Sequence, residues 1–167
     1  EVRLSLLGHK SMFVVFRRPV EAGQTGSRPA QAASAGGPAG KTLDVRGPWR
    51  VEFSSPVEKV APMTLGALGS LTEQADPAVK YFAGTATYVG TFEVAAEDVG
   101  RAVMVDLGEV HSMARVLVNG VDHGVVWHKP FRVEAKGVKA GVNELRVAVT
   151  SSWHNRVVGD EQNPADV

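Results

Sequence analysis

An all-β sandwich is the fold class that this sequence predicts, on three observations. From Lys41 onward, apolar and polar residues alternate with a period of two, the repeat of strands that bury one face. The alternating stretches are short and are bounded by Gly, Pro, Asn and Asp, which turn a chain. Between these turn residues there is little room for helices.

Taken in order, Trp49, Val51 and Phe53 share one face of the first stretch. In the next, Ala86, Tyr88, Phe92 and Val94 point one way and Thr85, Thr87, Val89 and Thr91 the other, with Gly90 marking a bulge in the middle. Val103, Val105 and Leu107 follow, then Ala114, Val116 and Val118, then Val125 and Trp127, then Phe131, Val133 and Ala135, and finally Leu145, Val147 and Val149. Asn119-Gly120 is a strong tight-hairpin signal, and Gly141 to Asn143 reverses the chain before the last strand. Pro130 ends a strand or makes an edge or corner, because it has no N–H to give to a ladder. The cadence is that of a sandwich, without internal repeats.

Ahead of this region, residues 2–16 read as two strands and a turn, since Leu4, Leu6 and Leu7 and then Met12 to Phe16 form apolar runs around Gly8, His9 and Lys10. From Pro19 to Gly40 the composition shifts to Ala, Gly, Ser, Gln and Pro, which offer little apolar surface to offset the entropy of ordering. The expected organisation is therefore residues 1–18 as terminal strands of a preceding domain or as added edge strands, 19–43 as a flexible linker, and 44–167 as the sandwich. The chain opens on Glu1 within a strand-like stretch, so its start is expected further upstream.

With 18 basic and 18 acidic residues in 167, the formal net charge is zero and neither sign gathers into a block, which excludes the electrostatic footprint of a nucleic-acid or anionic-membrane binder. Neutral partners fit best. The lack of cysteine excludes disulfides and thiolate metal sites and leaves the compartment open. No apolar run reaches the roughly 18 to 20 residues of a spanning helix, and the first residues do not have the pattern of a signal peptide.

Gly47, Pro48 and Trp49 opening a strand, followed by Asp76-Pro77-Ala78-Val79-Lys80-Tyr81-Phe82-Ala83-Gly84-Thr85-Ala86-Thr87-Tyr88, resemble the sugar-binding β-sandwich domain of glycoside hydrolases of family 2. Val116 to Gly120, Gly124 to Trp127, Pro130 to Val133 and Gly141 to Leu145 follow in the order expected of such domains. Val118-Asn119-Gly120 alone is common to many hairpins; the ordered set from Tyr81 to Asp160 carries the likeness. The ending, Ser152-Trp153-His154-Asn155-Arg156-Val157-Val158-Gly159-Asp160-Glu161-Gln162, is similar to the C-terminal region of the large bacterial α-L-rhamnosidases of family 106 and their relatives.

This resemblance implies a jelly-roll, galactose-binding-like sandwich from the C-terminal end of a larger glycosidase whose catalytic barrel lies upstream. The carboxylates of hydrolysis would then be absent here. Its implied partners are an oligosaccharide or polysaccharide and that upstream catalytic domain, and its implied location is periplasmic or secreted, in a bacterium. The function expected is a noncatalytic carbohydrate-binding or substrate-positioning module. The alternatives are a structural domain that packs on the barrel without binding sugar, and a small lectin-like protein.

A carbohydrate site needs an aromatic surface for the C–H face of a sugar and planar polar groups for its hydroxyls. Trp127, Trp153, Tyr81 and Trp49 are the aromatic candidates. Trp49 and Trp127 sit in alternating apolar strands, where burial is the expected fate. Trp153 follows the last strand among His154, Asn155, Arg156 and Asp160, read as a polar cluster on a loop. The competing reading of that tail packs it on the catalytic domain, with Arg156 and Asp160 as a structural ion pair. His128, Lys129 and Arg132 flank Pro130 beside Trp127 and could donate to hydroxyls or carboxylates, although solvated surface charge is the commoner role.

Metal has a weak signature. His123 and His128 are separated by an odd step and would face opposite sides of a strand, with no complementary ligands. A structural calcium held by scattered loop carbonyls and carboxylates fits a jelly roll but has no readable spacing. Glycoside hydrolysis requires two carboxyl groups about 5 to 10 Å apart. Asp160 and Glu161 are adjacent, and Glu109 near His111 reads as an ordinary turn, so these residues alone do not predict an enzyme.

Overall fold

The computed structural model describes residues 41–162. The strands read at residues 2–16 and the linker up to Gly40 lie outside the described residues.

Eight strands follow one another: β1 (Trp49–Ser54), β2 (Met63–Leu65), β3 (Thr85–Val94), β4 (Val103–Asp106), β5 (Met113–Val118), β6 (Val121–Val126), β7 (Arg132–Ala135) and β8 (Gly141–Thr150). A short helix, α1 (Pro77–Lys80), precedes β3, and a longer one, α2 (His154–Gln162), follows β8. Pairing is antiparallel throughout, in one six-stranded sheet of order β2-β1-β3-β8-β5-β6 and one two-stranded sheet, β4-β7. The fold is an all-β sandwich.

Its centre is the pair β3 and β8, matched without a break from Thr85↔Thr150 to Val94↔Gly141. That continuity corrects the bulge expected at Gly90. The glycine instead makes room for an indole, because a Cβ there would lie 2.7 Å from Cζ3 of Trp49. Trp49 is accordingly buried, 4% exposed, in a core with Val51, Val116, Leu145 and Val147. Val103, Val105 and Val133 of the small sheet pack against this cluster.

The bulge lies elsewhere. Arg115 pairs with Val125 but Leu117 with Asp122, so His123 and Gly124 together stand opposite Val116, and Gly124 takes φ +86°. One extra residue inverts the alternation along β6. Val121 and Val126 pair with the buried Val118 and Ala114, whereas Val125 is turned outward.

The two ends of the sandwich are built differently. At one pole, Asn119 and Gly120 both adopt positive φ, as a two-residue hairpin turn requires. Asn143 is fully buried beneath this turn: its Oδ1 accepts from Asn119 Nδ2 (2.8 Å) and Lys139 N (2.9 Å), and its Nδ2 donates to the carbonyls of Lys139 (2.8 Å) and Gly141 (2.9 Å). At the other pole, the register pairs Ser54↔Thr85, Thr85↔Thr150, Met113↔Thr150 and Ala114↔Val126 bring the ends of β1, β3, β8, β5 and β6 together.

Candidate functional site

Apart from Trp49, which is buried in the core, the aromatic candidates and the polar residues beside them flank this second pole, in two groups. Trp127 and Lys129 follow the edge strand β6, whereas Tyr81 leads into β3 and Trp153, Asn155, Arg156 and Asp160 follow β8. Three strand spacings, about 14 Å, separate β6 from β3 in the sheet.

The second group is a docked helix, which corrects the expectation of a loop after β8. Helix α2 carries Gly159 at its middle turn, where a Cβ would lie 2.7 Å from Cγ and 2.8 Å from Cβ of Tyr81, so the bare backbone packs directly against the root of that side chain. Glycine lowers intrinsic helix propensity; close packing on Tyr81 offsets that cost here. The Tyr81 hydroxyl donates to Gln162 Oε1 at 2.6 Å. Arg156 Nε pairs with Asp160 Oδ1 at 2.8 Å, the pair anticipated from the sequence, and its Nη1 reaches Glu58 Oε2 at 3.4 Å. Glu58 lies 98 residues away in the chain, so local sequence carried no signal for it. Tyr81, Arg156 and Asp160 thus spend polar atoms on holding α2. Trp153 has φ +65° and is 42% exposed, Asn155 is half-buried, and Val157 is exposed one helical turn beyond Trp153.

Trp127 is 65% exposed, which corrects the burial expected of it. The physical reason is the bulge at His123 and Gly124, which reverses the faces of Val125 and the residues in phase with it. His128 meets the indole edge-to-face, with ring centroids 5.1 Å apart. Lys129 Nζ pairs with Glu109 Oε1 at 3.2 Å, so Glu109 bridges two loops where the sequence read only a turn.

These loops, residues 107–112 and 127–131, are laced together. Leu107 N donates to Phe131 O at 2.9 Å, and Arg132 Nε donates to Asp106 Oδ2 at 2.8 Å. The Gly108 N–H donated to Asp106 at 2.9 Å, with help from Arg132, holds the Asp106 carboxyl below the usual aspartate range. The aromatic ring therefore projects from a braced corner.

Asp160 and Glu109 are each held in an ion pair and belong to different groups. Among the described residues, no cluster of three or more His, Cys, Asp or Glu side chains could hold a metal ion. An open cleft of about 320 Å³ lies at the opposite pole, lined by Asp98, Arg101, Glu134 and Lys136 and by no aromatic residue.

Comparison with known proteins gives the fold a context. No protein-family model matches the chain. A Formosa agariphila protein, provisionally named as a β-glucuronidase, is 38% identical over 123 residues, which make up 72% of this chain and 11% of that protein. The solved rhamnosidase of Novosphingobium sp. PP1Y is 40% identical with a TM-score of 0.68, over 74% of this chain and 12% of that one. A Ruminococcus gnavus β-glucuronidase superposes with a TM-score of 0.54 at 19% identity over 64% of this chain and 20% of its own, a likeness of fold alone. The chain thus spans about a tenth of the length of the first two, both named as glycosidases.

Proposed function

We propose that this chain is a noncatalytic, galactose-binding-like sandwich of a longer bacterial glycosidase allied to the α-L-rhamnosidases of family 106, and that it holds or positions glycan for the catalytic domain of that enzyme. A periplasmic or secreted location belongs to the same reading. The observation that carries it is Trp127, an indole 65% exposed on a loop braced against its neighbour. A large apolar ring left in water is unused by the fold, and its flat face suits the C–H face of a sugar. One ring on an open surface buries little area, so affinity is expected in the micromolar to millimolar range. The test is a calorimetric and NMR titration of the chain with plant and bacterial oligosaccharides. Saturable binding supports the reading, and silence at millimolar ligand rejects it.

A second reading has its own observation. Trp153, just ahead of α2, and Val157 within it are both exposed, and exposed apolar side chains this near in the chain suit a protein neighbour. In it, the domain packs on the catalytic domain and completes the rim of the active site without binding sugar alone. Trp153→Ala in the full-length enzyme would then lower activity or stability while the isolated chain binds no glycan.

A further inference from the structure

We propose that the corner formed by Trp127, Lys129 and Glu109 recognises a neutral pyranoside through a pair of neighbouring hydroxyls, in preference to a uronate; this rests on the glycan-holding reading above. The indole supplies the stacking surface, Glu109 accepts from the two hydroxyls, and Lys129 donates to a hydroxyl or ring oxygen.

Three observations converge on this chemistry. His128 covers an edge of Trp127 at right angles (interplanar angle 85°), and most of the indole stays open. The Lys129–Glu109 contact at 3.2 Å joins two strongly exposed side chains. Such a pair is worth about 0 to 1 kcal/mol, so hydroxyls can enter between its members at little cost. The single contact leaves the ammonium further donors and the carboxylate further lone pairs. Finally, the formal charges of the corner cancel in pairs, Asp106 against Arg132 and Glu109 against Lys129. A carboxylate-bearing sugar entering between the two groups brings a second negative charge beside Glu109, whereas a neutral diol adds none.

The sequence reading treated Glu109 as part of a turn; its contact with Lys129 ties it to the loop that carries the stacking ring, where the proposal makes it a hydroxyl acceptor. Trp127, Lys129 and Glu109 are all exposed, so substituting them leaves the buried core intact.

The experiment is a ¹H–¹⁵N NMR titration of the 167-residue chain at pH 8, above the ordinary imidazole range, with methyl β-D-galactopyranoside, methyl α-L-rhamnopyranoside and sodium D-glucuronate as probes. The expected result is saturable shifts of the Trp127 indole N–H with at least one neutral glycoside, binding at least tenfold weaker for glucuronate, and at least tenfold weakening by Trp127→Ala and by Glu109→Gln, with spectral dispersion unchanged. Tighter binding of glucuronate, or an unaltered titration in Glu109→Gln, overturns the diol assignment and leaves the glycan-holding reading standing. Full-strength binding in Trp127→Ala puts the sugar elsewhere and overturns the corner itself. Silence with these probes and with oligosaccharides overturns both.

Discussion

Trp49 and Trp127 show how little a residue type says without its neighbours. The first lies over Gly90 in the core; the second stands in solvent on a loop. Trp49→Ala should therefore cost about 3 to 5 kcal/mol in urea denaturation, the range for emptying a buried aromatic site. Trp127→Ala should stay within about 0.5 kcal/mol of the parent, as surface changes do. Asn143 belongs to the same scale. Replacing it by Ala removes all four hydrogen bonds of this buried amide, those with Asn119 Nδ2, the Lys139 N–H and the carbonyls of Lys139 and Gly141, and should cost about 1 to 3 kcal/mol by the same assay. Asn143→Asp should not rescue the loss, because it sets a carboxylate oxygen against carbonyls where a donor stood.

At the scale of elements, α2 is held by the close approach of Gly159 to Tyr81 and by the polar bonds of Tyr81 and Arg156. Gly159→Val should push the helix from the Tyr81 ring; hydrogen exchange across His154–Gln162 should accelerate well before the strands lose protection. Unchanged exchange there would mean that α2 is anchored by other contacts. The braced loops make a pH prediction. The Asp106 carboxyl titrates below its ordinary value in the folded protein, so the folded state binds fewer protons there than the unfolded chain as pH falls. Its contribution to stability is thus fully present above the ordinary aspartate range and is lost as pH drops through the lower folded value. Thermal melts of the parent and Asp106→Asn should differ at neutral pH and converge toward strong acid.

Over the described residues as a whole, apolar burial is divided between a large sheet and a two-stranded one, and the candidate binding residues other than the buried Trp49 flank one pole. That arrangement leaves two separate surfaces, the Trp127 corner and the outer side of α2, for two kinds of neighbour. The assignments separate experimentally: Trp127→Ala should abolish glycan titration without altering the melting profile, whereas Trp153→Ala should leave the titration unchanged. Loss of glycan binding in Trp153→Ala alone would move the site to α2.

Much of this was legible beforehand. Period-two alternation in the residues of β1, β3, β5 and β8 determined both their strand character and their buried faces, because backbone geometry alone sends successive side chains to opposite sides. Asn119-Gly120 determined its hairpin because those residues tolerate positive φ. The resemblance in the ordered set from Tyr81 to Asp160 pointed to glycosidases, and relatives with such names were found. What alternation could not reveal was the extra residue at His123 and Gly124, since a bulge is defined by its partner strand, and with it the outward turn of Trp127 was hidden. Helix α2 escaped for a related reason: its weak local propensity is overridden by Tyr81, which lies far away in the chain. Tertiary structure decided which polar residues were already engaged, because Arg156 finds Glu58, and Lys129 finds Glu109, only after strands distant in sequence have paired.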